Sequence, residues 1–340
     1  MKKILIYILI LLCIVFIIPS MCTKKRQTLA VNNKEKNAEE TEKKEEQPKY
    51  EYSKYSKIKL YHSKTSQIEE LPIDEYLYGV VSSEMPASYT LEALKAQAIV
   101  ARTYTLYQII NSNGKHGKAD ICDDSTCCQA WLSKEDRITK WDSGAAEENW
   151  NKIVEAVNST QGKIITYNGS PIDAFFHANS GGVTETASNV WGGNDFPYLQ
   201  SVETSGEDEY SGYNSEVEFT KEELVKKIKE KHSDFEIDFS LEDCIQITEY
   251  TESGRVKTIK LGNIQIAGTE ARTIFGLKST NFTFEVNGDT IKFAVKGYGH
   301  GVGMSQNGAE AMAQARFYLW RYNKTFLHRS WSFLHKWFVI

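Results

Sequence analysis

V-S-S-E-M-P-A-S-Y-T-L-E-A-L-K-A-Q-A-I-V-A-R-T-Y-T-L-Y, residues 81–107, places a single carboxylate, Glu84, just ahead of a helix entry. Pro86 has no backbone N–H and biases Met85 away from helical angles, so the helical segment before it must stop near Glu84. Thr90 is a suitable N-cap, and the Ala-rich run 91–108 predicts a helix of about five turns. At about 100° per residue, Lys95, Ile99 and Arg102 share one face, with Gln97, Ala101 and Tyr104 opposite. Val80, Val81, Met85 and Pro86 offer apolar surroundings that would raise the carboxyl pKa, while Lys95 or Arg102 would lower it. Spacing alone allows two readings: an acid held on a break between helices, or a surface Glu paired with Lys95.

The 340 residues are 41% hydrophobic and 12% aromatic, enough for one large core or two small ones. A formal charge of -5 and no basic stripe in the body of the chain argue against nucleic acid as a partner. Lys2 and Lys3 precede an unbroken apolar run, 4–18, which ends in Pro19, Ser20, Met21 and Cys22 before Lys24, Lys25 and Arg26. This length just suffices to span a bilayer, and the missing small-residue cleavage site favours an uncleaved anchor (1–22) over a signal peptide. Basic residues are nearly balanced across the run, so charge leaves its orientation open. Residues 23–55 read as a polar, solvated linker, and 56–316 as the folded domain.

Within that domain, K-I-K-L-Y-H-S at 57–63 alternates as a strand, and 72–83 is helical, delivering Glu84. A short amphipathic helix is expected over 150–160, then a hairpin of 163–167 with 171–177 around Asn168-Gly169. A polar helix over 221–232, hairpins of 244–251 with 256–261 and of 281–286 with 290–295, and a short helix over 267–275 complete the pattern. Strands and helices mix without βαβ regularity, which predicts the α+β class, a single domain of helices and antiparallel hairpins. Trp191, in a Trp/Gly/Asn-rich loop, suits either stacking on sugar rings or core packing. Five glycines surround His300 in 297–308; such a loop lets backbone approach a ligand, and Ser305 is placed to cap the next helix.

S-E-M-P at 83–86, E-A-L-K-A-Q-A-x-x-A-R-T-Y at 92–104, H-A-N-S-G-G at 177–182 and G-Y-G-H-G-V-G-M-S-Q-N-G at 297–308 together resemble the hallmark of the stage II sporulation protein D family. Those proteins are peptidoglycan lytic transglycosylases, also related to amidase enhancers. The resemblance covers roughly residues 57–315 and implies that Glu84 is catalytic, with His177, Ser180, His300, Ser305 and Gln306 lining a glycan groove. It also implies a place in engulfment during sporulation, beside a cell-wall amidase and other engulfment proteins. The domain would then sit outside the cytoplasm on a single-pass anchor in the cell membrane, facing the septal wall.

A glycosidase usually flanks its bond with two carboxylates. A lytic transglycosylase needs one, because the N-acetyl group of muramic acid assists departure and the sugar's own 6-hydroxyl replaces water. Glu84 would first donate and then accept the proton, which requires a carboxyl protonated near neutral pH. Muramic acid freed of its peptide carries a lactyl carboxylate, for which Lys95 and Arg102 are the expected partners. The competing readings are a glycan-binding module that activates an amidase without cleaving, and Ser-His-Asp hydrolysis through Ser180 or Ser305, which lacks a nucleophile-elbow context.

K-H-G-K-A-D-I-C-D-D-S-T-C-C-Q, from Lys115, gathers His116, Cys122, Cys127 and Cys128 within thirteen residues. Four such ligands suit a structural, tetrahedral zinc site that would hold a coreless loop against the long helix. A Cys122–Cys127 disulfide and free thiols are the alternatives. From Ala315 the chain becomes a crowd of aromatics and bases. Shifting permissible codons by one base yields G-F-I-F-G-D-T-I-K-H-F-Y-T-G-V, which resembles the family's usual ending. The tail 317–340 is therefore read as frameshifted, the alternative being a surface-binding segment.

Overall fold

The computed structural model describes residues 52–111, 114–194, 196–315 and 338–339. The expected anchor and linker up to residue 51 lie outside the described residues, as does the expected tail apart from Phe338–Val339. Among the described residues no helix is long and apolar enough to cross a membrane.

The class is α+β, with no closed barrel among the described strands. Strand β1 (Lys57–His62) buries Ile58 and Leu60, pairs antiparallel with β2 (Gln67–Pro72), and pairs parallel with the two-residue β3 (Ile121–Cys122). Sequence reading missed β2 because Q-I-E-E-L-P is a charged, exposed edge strand with no buried alternation to betray it. Helix α1 (Ile73–Glu84) buries Tyr76, Leu77, Val80 and Val81. It stops as Pro86 requires: Met85 is extended at φ -123, ψ 143.

Helix α2 (Leu91–Asn111) is buried on nearly every side, from Ala93 through Leu106. That is the reason for its alanines and for its lack of a polar face: α1, α4 (Ala146–Asn158), β4 (Ile164–Tyr167) and α8 (Gln306–Gln314) all pack on it. Thr90 caps it as expected, accepting from the Ala93 N–H at 3.4 Å, while its own N–H and hydroxyl donate to Glu310 of α8 at 2.7 and 2.8 Å. Replacing the fully buried Leu94 by Ala would cost about 3 kcal/mol. The short α3 (Lys134–Ile138), capped by Ser133, packs against α1 and α4.

The Asn168-Gly169 turn forms with both residues at positive φ, 50 and 77, and closes β4 onto β5 (Ser170–Pro171). The expected strand 171–177 does not continue that hairpin. Its end becomes β6 (Phe176–His177), which pairs parallel with β13 (Met304–Ser305), a partner too far along the chain for local pattern to reveal. Phe338–Val339 pairs antiparallel with β4.

A second hydrophobic core lies between residues 219 and 295. Strands β7 (Asn214–Thr220), β11 (Asn281–Asn287) and β12 (Thr290–Lys296) form one sheet; β8 (Ile245–Tyr250), β9 (Val256–Leu261) and β10 (Ile264–Ala267) form another. Helices α6 (Lys221–Lys229) and α7 (Gly268–Phe275) pack with them. Phe275 and Phe293 stack there with centroids 4.9 Å apart. Helix α6 opens on a capping box, Thr220 with Glu223, and ends three residues before the expected 232. The remaining helix, α5 (Ala187–Trp191), carries the loop tryptophan.

Candidate active site

Glu84 is the last residue of α1, so its side chain leaves the helix where the chain turns extended. One oxygen accepts a hydrogen bond from the Ala130 N–H at 2.6 Å. Burial pushes its carboxyl up to about 7, against the pull of that N–H. The carboxyl faces a cleft of about 500 Å³ walled by Ser83, Glu84, Met85, Pro86, Ala87, Ser88, Arg137, Trp141 and Asn149. Glu84 is the one carboxylate among those walls. Arg137, from α3, lies against the Trp141 ring with its guanidinium carbon 4.6 Å from the centroid.

The Ala130 N–H is set by a loop with two fixings. Gln129 is buried, and its amide donates to the Tyr76 hydroxyl of α1 at 3.1 Å and the Thr105 hydroxyl of α2 at 3.0 Å. Immediately before it come Cys127 and Cys128, whose N–H groups both reach the Asp124 carbonyl. The close pass of this loop over α1 needs Gly79: a Cβ there would meet the Trp131 ring nitrogen at 2.2 Å and the Leu132 carbonyl at 2.6 Å.

His116, Cys122, Cys127 and Cys128 form the cluster their spacing implied, each offering a ligand atom within 4.8 Å of every other. His116 Nε2 is 3.2 Å from Cys128 Sγ and 4.0 Å from Cys127 Sγ. All three cysteines are free, so the Cys122–Cys127 disulfide is not formed. Burial raises the Cys122 and Cys128 thiols and lowers His116. One imidazole and three thiols converging on one point are donors that a soft or borderline divalent cation would deprotonate and bind, so the residues fit a metal.

The other expected site residues do not line the Glu84 cleft. Arg102 is wholly buried, donating to the Thr160 carbonyl at 2.8 Å, the Val157 carbonyl at 3.1 Å and Asp74 at 3.2 Å. It ties α2 to the end of α4, so its expected role as a carboxylate partner for substrate is corrected. Lys95 pairs with Glu92 at 2.8 Å, one turn back on its own helix, rather than with Glu84.

His177, Ser180, Ser305 and the Gly-rich loop form a buried hub instead. Glu207 accepts from Ser180 Oγ at 2.5 Å, Thr204 Oγ1 at 2.9 Å, the Gly182 N–H at 3.2 Å, and the Ser305 hydroxyl. Arg255, 1% exposed, donates to the Ser180 carbonyl at 2.6 Å. A Cβ on Gly301 would meet that guanidinium at 2.6 Å, and one on Gly303 would meet the Phe175 carbonyl at 2.1 Å. The loop's glycines therefore answer to this packing rather than to a ligand.

His177 gives its Nδ1 proton to the Val302 carbonyl at 3.1 Å and is pushed down to about 3 by burial and the Arg255 charge, so it stays neutral. No Ser–His hydrogen bond exists among the described residues. Since both serine hydroxyls donate to Glu207, the hydrolase triad has no geometry here. Gln306 bonds Gln97 of α2 at 3.3 Å. His300 lies 5.1 Å from the ring of Trp191, which is 52% exposed and packs at a tilt against Phe175 at 4.6 Å.

A family model described as Stage II sporulation protein matches residues 61–167. The stage II sporulation protein D of Bacillus subtilis is 38% identical over 258 residues, covering 76% of this chain and 73% of that protein. The chain belongs to the stage II sporulation protein D family. The counterpart from Bacillus amyloliquefaciens is 37% identical over 259 residues, with the same coverage. An amidase enhancer of Bacillus subtilis is 32% identical, covering 70% of this chain and 37% of that protein. It is therefore a member of a sporulation family, and the family model spans Glu84, the His/Cys cluster and every wall of the acid cleft, but not the hub. Sequence reading missed Arg137, Trp141 and Asn149 because K-E-D-R-I-T-K-W reads as an ordinary polar turn; only its fold against α1 brings it to Glu84.

Proposed function

We propose that this protein is a membrane-anchored peptidoglycan lytic transglycosylase acting on glycan strands during sporulation. The observation that carries the reading is a single carboxylate in the cleft, raised by burial to about 7. A carboxyl in that range is populated in both protonation states near neutral pH, as a group that first donates and then accepts requires. Glu84 donates its proton to the glycosidic oxygen between N-acetylmuramic acid and N-acetylglucosamine as the C1–O bond breaks. The carboxylate left behind takes the proton of the muramic acid 6-hydroxyl as that oxygen bonds C1. The product is a 1,6-anhydro end; no water is consumed and the acid is regenerated. With one carboxylate among the walls, the two-carboxylate hydrolytic arrangement is not supported.

His116, Cys122, Cys127 and Cys128 would hold a structural zinc ion, which supplies folding free energy. Four protein ligands leave no position for water. The ion's effect on Glu84 would be positional, since Cys128 lies two residues before the Ala130 N–H that holds the carboxylate. We further propose that the first 22 residues anchor the domain outside the cytoplasm, with a cell-wall amidase as partner.

Incubating the chain with peptide-free glycan strands and weighing the products tests the reading: 1,6-anhydromuramoyl ends are expected. Similarity to an amidase enhancer favours one alternative, a non-catalytic glycan-binding activator, which predicts binding and a faster amidase but no anhydro ends.

A further inference from the structure

Arg137 is a cation without an anion. Its Nε is buried with no hydrogen-bond partner, and among the described residues its guanidinium has no ion pair or side-chain hydrogen bond. The group is half-buried, and burial lowers its pKa. A guanidinium that has lost part of its hydration and gained no acceptor is unfavourable unless something external supplies one.

The position is well defined. Ser133 caps α3 through the Asp136 N–H at 3.1 Å, and the turn continues through Lys140 and Trp141, whose N–H groups reach the Arg137 and Ile138 carbonyls at 3.1 and 3.2 Å. Arg137 and Trp141, four residues apart, therefore share one face. The indole centroid lies 4.6 Å from the guanidinium carbon, and both side chains line the cleft that Glu84 also lines. An aromatic face next to a planar, unpaired fork is suited to a sugar ring that bears a carboxylate.

We propose that Arg137, steadied by Trp141, is the specificity-determining residue that selects glycan whose muramic acid carries a free lactyl carboxylate. This rests on the reading of the cleft as a glycan site. In wall polymer that carboxylate is consumed in an amide bond to the stem peptide. An amide offers the fork a weaker, neutral acceptor and adds bulk. The substrate must therefore be supplied by amide hydrolysis that removes the peptide. Arg137 takes the role that the sequence assigned to Arg102 and Lys95, which the fold uses elsewhere.

The test is a binding measurement on the full-length chain carrying Glu84→Gln, so that nothing is cleaved. One probe is a peptide-free muramic-acid tetrasaccharide; the other is the same tetrasaccharide with its lactyl carboxylates converted to methylamides. The acid form is expected to bind at least tenfold more tightly than the amide. Arg137→Gln is expected to bring that ratio close to one by weakening the acid form alone, and Arg137→Lys to restore part of it. Thermal melts confirm that both variants fold; if Arg137→Gln does not, the ratio in Arg137→Lys decides, since losing the fork while keeping the charge must still lower it. Equal binding of the two probes by the parent, or a ratio indifferent to Arg137, overturns the proposal even if the chain with Glu84 restored cleaves glycan. An Arg137-dependent ratio in a chain that forms no anhydro ends would keep the carboxylate site and remove the lytic reading.

Discussion

The Glu84 cleft and the Glu207 hub are both built on family motif blocks, yet their polar groups face different things. In the hub, Glu207 is met by three hydroxyls and backbone N–H groups, and both it and Arg255 are 1% exposed, sealed under glycines that admit no Cβ. In the cleft, Glu84 has one N–H and open space, and Arg137 has an aromatic face and no anion. A histidine and two serines in glycine-rich loops draw attention as chemistry, but the hydrogen bonds they make end inside the protein. The comparison teaches that a site is marked by polar capacity left over toward a cavity, and not by the density of reactive residue types.

The hub should break first and break hardest. Glu207→Ala leaves the buried hydroxyls of Ser180, Thr204 and Ser305 and the Gly182 N–H without their acceptor, so stability should fall by about 3 to 5 kcal/mol in urea unfolding. A loss below about 1 kcal/mol would mean the hub is not a closed network.

Glu84→Gln should do the reverse. Formation of anhydro ends should drop by a hundredfold or more, equivalent to about 2.7 kcal/mol in the barrier, with glycan binding intact. Near-normal turnover in folded protein would move the site away from Glu84 and favour the enhancer reading.

The cluster sharpens the comparison from the side, because a metal bound there would stabilise the loop that aims Glu84 without touching substrate. Cys128→Ser should lower bound zinc, measured by elemental analysis, and lower the melting temperature; activity should fall as Ala130 is released. Less than one metal per chain in the reduced, folded parent, or activity unaffected by chelation, would contradict this.

The smallest effect is in the pH dependence of stability. The folded pKa of Glu84, about 7, lies above its ordinary 4.5, so between those values the folded chain holds a proton that the unfolded chain has released. Stability from this group is therefore present below about pH 4.5 and is lost as pH rises to about 7. Gln stays neutral throughout, so the melting temperature of Glu84→Gln relative to the parent should be higher at pH 8 than at pH 5. A constant difference would mean Glu84 titrates normally. The activity of the parent, which needs the protonated acid, should decline through the same upper limb.

The sequence by itself determined the elements whose cause is local. Pro86 ended α1 at Glu84, Thr90 opened α2, Asn168-Gly169 turned a hairpin, and thirteen residues held all four members of a His/Cys cluster whose donors fit a metal. Each of these follows from backbone angles or spacing within a few turns of chain. Apolar neighbours could raise Glu84 and cations could lower it, and the sequence left that balance open. Only the tertiary structure decided it, by turning Arg102 inward onto carbonyls at the end of α4, pairing Lys95 with Glu92, and burying the carboxyl in the wall of the cleft that Arg137 and Trp141 also line. The same holds for β6 on β13 and for Glu207 under the two serines. Desolvation and charge pairing depend on which distant groups come within a few ångströms, and no periodicity in the chain records that.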